Sequence, residues 1–144
     1  MPIRIERPRT CNQAGIAACA AKLLDAPFRL HGRSVETGLD CVGVVARCLC
    51  DIGDDFEAPI DYGARGQFEE RALAFFEART FQNVADYSFV AGDIFLLRPG
   101  PRQIHFAVLA QAGAVHAHMG LRRVVLTPLP LPYRKIAQWR IQGD

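Results

Sequence analysis

Gly38-Leu39-Asp40-Cys41-Val42-Gly43 marks the point where a polar, turn-rich stretch gives way to the apolar run Val44-Val45-Ala46-Arg47-Cys48-Leu49. This change predicts a helix from Cys41 to about Ile52, with Gly53 suited to its C-terminus. Asp40 stands where an N-cap belongs, able to accept from first-turn N–H groups that lack a helical partner. A cysteine in that first turn meets the positive end of the helix dipole, which favours the nucleophilic thiolate over the thiol. Gly43, lacking a side chain, is expected to leave room for approach to the sulfur.

On the N-terminal side of this stretch, Ile16, Cys19, Ala20, Leu23 and Leu24 recur at helical spacing, and Pro27 bars continuation, so a first helix is expected over about 12–25. Residues 1–10 read as an extended arm bracketed by Pro2 and Pro8, and 27–34 as a loop leading to the Gly38 turn. On the C-terminal side, 54–66 is polar and broken by Pro59, Gly63 and Gly66. Phe68, Ala72, Phe75 and Phe76 then fall on one face of a third helix over about 67–79. After Tyr87 the pattern turns to strands: 93–97, Ile104–Ala110, Ala114–His118, Leu121–Thr127 and Ile136–Ile141. The last alternates Lys135, Ala137, Trp139 and Ile141 against Ile136, Gln138 and Arg140. Pro128-Leu129-Pro130-Leu131-Pro132 cannot join a ladder and is expected to cross the surface. Helices first and antiparallel strands afterwards describe an α+β domain with its helices on one face of the sheet.

The chain has 144 residues, 50% hydrophobic and 22% charged, which fits one soluble domain spanning 1–144. A net charge of +2, with no Lys/Arg run interleaved with aromatics, excludes nucleic acid as the partner. Five cysteines, an odd number without CxxC spacing, argue against a disulfide framework and for a reducing compartment. Cys48 and Cys50 lack the second pair a zinc site needs, so no metal and no cofactor is expected; Cys48 is expected to be partly buried. No stretch is apolar and long enough to span a bilayer, so no membrane partner is expected. The N-terminus lacks an apolar signal core, so synthesis and initial residence in the cytosol are expected.

A cysteine nucleophile needs a base, and the chain offers His31, His105, His116 and His118. His31 reads as a loop residue. If Ala112-Gly113 is a two-residue turn, Leu109 faces His116 and Ala107 faces His118, and both imidazoles share the face of His105. Three imidazoles on one face suit a nucleophile, base and orienter set with the Cys41 helix laid across that face. A three-residue loop or a bulge would shift the register by one and separate them.

Four stretches in order carry a resemblance to the NlpC family of papain-like cell-wall cysteine peptidases. Gly38-Leu39-Asp40-Cys41-Val42-Gly43-Val44-Val45 resembles the nucleophile motif, usually Asp-Cys-Ser-Gly-Leu-Val, and Pro27-Phe28-Arg29-Leu30-His31-Gly32-Arg33 resembles the Pro-Tyr-x-x-Gly-Gly approach. Ala91-Gly92-Asp93-Ile94-Phe95-Leu96 resembles Gly-Asp-Leu-Val-Phe-Phe. Ile104-His105-Phe106-Ala107-Val108-Leu109 with Val115-His116-Ala117 resembles the His-Val-Gly-Ile-Tyr and Ile-His-Ala pair.

The resemblance implies a papain-like fold with Cys41 as nucleophile, His105 as base and His116 as the residue orienting His105, with His118 competing for that last place. It implies Asp40 and Phe28 at the substrate, Asp40 helping to hold the free amine of a peptidoglycan stem peptide. The expected reaction is hydrolysis of a stem-peptide amide, the D-γ-glutamyl to diamino-acid bond being the one the family favours. The family includes small peptidases carried by phage tails and phage-like particles, which sets the expected surroundings. Val42 for Ser and Phe28 for Tyr remove two polar groups expected near the substrate. The rival readings are an idle tail or adaptor protein that keeps the fold, and a thiol amidase or acyltransferase on the same scaffold.

Overall fold

A computed structural model describes residues 3–54, 58–64 and 68–143. The expected loop over 54–66 and the expected start of the third helix at 67 therefore fall partly outside the described residues.

Helix α1 (Cys11–Lys22) starts where Thr10 accepts from the Gln13 N–H, and it buries Ile16, Cys19 and Ala20. A two-stranded ribbon, β1 (Arg33–Ser34) with β2 (Gly38–Leu39), occupies part of the expected loop. Its strands are too short to carry an alternation signal. Helix α2 (Cys41–Asp51) begins at the expected residue, with Asp40 accepting from the Gly43 N–H at 2.8 Å. Helix α3 is Glu69–Glu77. Among the described residues, no helix is long and apolar enough to cross a membrane.

Strands β3 (Phe81–Asn83), β4 (Ile94–Arg98), β5 (His105–Ala110), β6 (Gly113–His118), β7 (Arg123–Thr127) and β8 (Arg134–Ile141) follow. They form an antiparallel sheet in the order β3-β8-β4-β5-β6-β7. The edge strand β3 escapes the sequence reading because its three residues are half or fully exposed and show no periodicity.

Among the described residues, helices α1, α2 and α3 pack on one sheet face. Ile16, Val45, Leu49 and Phe76 meet Leu96, Phe106, Val108, Val115 and Trp139 there. Phe76 stacks on Trp139 at 4.0 Å between ring centroids and Phe68 on Phe106 at 5.5 Å. Such aromatic pairs add about 0.5–1.5 kcal/mol each beyond the area they bury.

The other face is covered without helices. Phe89, Phe95, Leu97, Ala107, Leu109 and Ala114 form its core, roofed by Ile3 and Ile5 of the arm and by Leu129, Leu131 and Tyr133. The arm is tied on through Glu6, whose N–H donates to the Phe89 carbonyl and whose carbonyl accepts from Ala91. The proline-rich crossing is thus a roof whose leucines turn inward.

A register shift between β4 and β8 puts Leu96 opposite Ala137 but Leu97 opposite Lys135. The expected alternation of Lys135 with Ala137 and Trp139 fails at this bulge. Lys135 lies over the rings of Phe89 and Phe95 on the roofed face instead. Beside it, the fully buried Asp93 gathers Gln13, Gln138, the Val90 N–H and both Nε and Nη2 of Arg140.

Candidate functional site

The start of α2 is held in place by a carboxylate. One oxygen of Asp40 accepts from the Gly43 N–H and from Arg33 Nη1; the other accepts from the His31 N–H at 2.8 Å and from the Tyr62 hydroxyl at 2.5 Å. Arg33 is itself consumed, its other nitrogen donating to the Pro59 carbonyl and the Tyr62 hydroxyl. Asp40 is 3% exposed, and each of its oxygens already has two partners within the protein. Burial, followed by the adjoining Asp40, pushes the Tyr62 phenol well upward, which keeps it a donor.

Gly43 serves a different purpose from the one expected. A Cβ there would lie 2.2 Å from the Gly32 carbonyl oxygen, so the missing side chain lets the 31–33 segment close on the helix start. Access to the sulfur is not what requires the glycine.

Cys41, His105, His116, His118, Asp40 and Phe28 all line one open cleft of about 370 Å³. Chain segments that are distant in sequence therefore bring every expected site residue to a single place. Val42 does not join them. It is 3% exposed and packs into the helix-side core, so the change from Ser removes no polar group from this cleft. Tyr62, from the polar segment after α2, brings a phenolic hydroxyl to the Asp40 end of a cleft whose Phe28 has none.

The imidazoles share a face, though by a register other than the expected one. Leu109 faces Ala114, not His116, and Ala110 faces Gly113, so the turn is Gln111-Ala112. A slip of two residues preserves the face. That face is the roofed one, shared with Ala107 and Leu109. The expectation that the Cys41 helix is laid across the imidazole face fails: α2 lies across the opposite face. Cysteine and histidine share the cleft at the end of the sheet, because His105 is the first residue of β5. The next residue, Phe106, turns its backbone N–H to the Cys41 sulfur.

His105 Nε2 lies 3.0 Å from His116 Nδ1, and His116 Nε2 lies 2.8 Å from Thr127 Oγ1. His118 is engaged elsewhere, its Nδ1 accepting from the Leu121 N–H at 3.0 Å. The ring of Tyr133 stands edge-on to both His105 and His116. Thr127 and Tyr133 were not found from the sequence. Thr127 was discoverable, since the pairing of His116 with Val125 puts residue 127 on the face of His116.

Protonation at rest departs from expectation. Burial pushes the Cys41 thiol up to about 12, against the backbone N–H groups of Phe106 and Val42. Burial, with His116 and His118 beside it, pushes His105 down to about 3. Burial and His118 push His116 down to about 4. The resting pair is a neutral thiol and a neutral imidazole, and the thiolate favoured by the helix start is not the ground state. Desolvation of a charge outweighs the helix dipole here. Cys48, expected to be partly buried, is wholly so.

No family model matches the sequence, and no curated protein matches it. Solved structures do. NlpC1 from Trichomonas vaginalis superposes with a TM-score of 0.68 at 16% identity, over 92% of this chain and 46% of that one. The peptidoglycan hydrolase RipB from Mycobacterium tuberculosis gives 0.59 at 17% identity, over 92% and 66%. The NlpC/p60 domain of the peptidoglycan hydrolase SagA gives 0.59 at 21% identity, over 90% and 98%. The chain spans under half the Trichomonas protein and nearly all of the SagA domain. A helix start carrying Cys41 against a strand start carrying His105 is thus set in the papain-like α+β fold that these NlpC/P60 domains share.

Proposed function

We propose that the protein is a cysteine peptidase that hydrolyses an amide bond in bacterial peptidoglycan stem peptides. One observation carries this reading. Cys41 at a capped helix start and His105 at a strand start share one cleft, with the far nitrogen of His105 already committed to His116. That commitment leaves Nδ1 of His105 for the thiol. The Cys41 S–H proton passes to Nδ1 as sulfur attacks the carbonyl carbon. The tetrahedral intermediate collapses to a thioester as the imidazolium returns the proton to the leaving amine; water, activated by the same imidazole, then releases the acid and the thiol. The Cys41 backbone N–H at the helix start is the oxyanion donor, a role worth about 3 kcal/mol of barrier. His116 orients His105, and Asp40 fixes the helix start, leaving the substrate to the open part of the cleft beside Phe28. Two hydrolases among the structural neighbours act on peptidoglycan, which supports that polymer as the substrate class. The finer choice of the D-γ-glutamyl to diamino-acid bond rests on the sequence resemblance, as does a phage-tail or phage-like-particle setting.

Incubation with purified peptidoglycan tests the reading. New amine ends are expected with the wild type and none with Cys41→Ala. Equal release by both, or none by either, would overturn it, and the released fragment identifies the bond.

A further inference from the structure

The line of groups behind His105 continues past His116 to a third strand. We propose that Thr127 is a positioning residue for the Cys41–His105 pair: its hydroxyl accepts the Nε2–H of His116, leaving Nδ1 of His116 bare to accept the Nε2–H of His105. This rests on reading the site as a cysteine hydrolase.

A neutral imidazole carries one N–H, so a row of two imidazoles can run in only two directions. In one, protons point from His105 through His116 to Thr127, and Nδ1 of His105 is a bare acceptor for the thiol. In the other, the Thr127 hydroxyl donates into His116, His116 donates into His105, and Nδ1 of His105 carries a proton that bars it from acting as base. Only the first serves proton abstraction. The row is closed to other partners: His116 is 2% exposed, and its two nitrogens lie 3.0 and 2.8 Å from their neighbours. The titratable groups around His116 are His105 on β5, His118 on its own strand and Tyr133 ahead of β8. Burial holds both His105 and His116 neutral, as the row requires.

The strand carrying Thr127 is also brought in closely. A Cβ on Gly113 would lie 2.7 Å from the Thr127 carbonyl oxygen, so glycine at the head of β6 permits that approach.

The test needs no substrate. Long-range nitrogen–proton NMR of the wild-type histidines is expected to show His116 protonated at Nε2 and bare at Nδ1. Alkylation of the half-buried Cys41 by iodoacetamide, resolved by peptide mass mapping because Cys11 and Cys50 are exposed, reports the base. Thr127→Val is expected to slow it about tenfold at neutral pH, the worth of one hydrogen bond. Thr127→Ser, which keeps the hydroxyl, is expected to stay within about twofold. His116 protonated at Nδ1, Thr127→Val matching wild type, or Thr127→Ser as slow as Thr127→Val would each overturn the proposal. If Thr127→Val fails to fold by circular dichroism, the tautomer and the serine variant decide. A wild type that cleaves no amide would end the functional reading and leave this result standing.

Discussion

Acidification should unfold this protein through its buried imidazoles. His105 and His116 sit far below the ordinary histidine value near 6.5, at about 3 and about 4. Unfolding returns both to water, where they take up protons below about pH 6.5, so the unfolded chain binds more protons and stability falls with pH. The loss starts as pH drops through the unfolded value and ends only near the folded ones. At about pH 5 each unfolded histidine has gained about 2 kcal/mol that its folded counterpart has not, about 4 kcal/mol for the pair relative to pH 8; at about pH 6 the sum is about 2 kcal/mol. That is a large share of a typical folding free energy of about 5–15 kcal/mol. Urea unfolding across this range measures it, with His105→Gln/His116→Gln as the reference, because every other group is common to both proteins. The wild type should lose about 4 kcal/mol more than the double variant. Parallel stability curves would refute the reasoning, since the two imidazoles would then not be held neutral by the fold.

Other perturbations should act at defined points. Gly43→Ala drives a Cβ into the Gly32 carbonyl and should cost about 1–3 kcal/mol in urea unfolding while lowering Cys41 alkylation, because the 31–33 segment must leave Asp40. Tyr62→Phe removes one donor to Asp40 and one acceptor for Arg33, and thermal unfolding should report a loss of about 1–2 kcal/mol. Asp93→Ala takes the buried carboxylate from Arg140, Gln13, Gln138 and the Val90 N–H together and should cost about 3–5 kcal/mol, read by chemical denaturation.

The elements legible in the sequence were those whose residues face one environment throughout. Helix α2 announced itself through Asp40, Cys41 and the apolar run behind them, and the His105 hairpin through the two short runs that flank Gln111-Ala112-Gly113. The ribbon of Arg33 and Gly38 and the edge strand at Phe81 were invisible, being too short or too exposed to carry a period. Lys135 was misplaced because a bulge inverts faces without changing composition. The site was legible as a set of residues but not as a geometry. Which face the imidazoles take depends on what covers each side of the sheet, and the roof is built from two leucines of a proline-rich segment and an arm that show no core pattern. The charge state was misread for a related reason. A helix start argues for thiolate, but the desolvation that opposes it depends on packing around Cys41 that only the folded chain supplies. Tyr62 and Arg33, which saturate Asp40, come from segments with no signal beyond polarity.

The claim beneath the proposed activity is that the sulfur of Cys41 forms a covalent bond to substrate with His105 as its base. Rapid quenching of the protein with a peptidoglycan fragment, followed by mass spectrometry of the Cys41 peptide, tests it directly. An acyl adduct on Cys41 in the wild type, and none in His105→Ala, is the predicted result. Amine release without an adduct at Cys41, or an adduct forming equally well in His105→Ala, would contradict it.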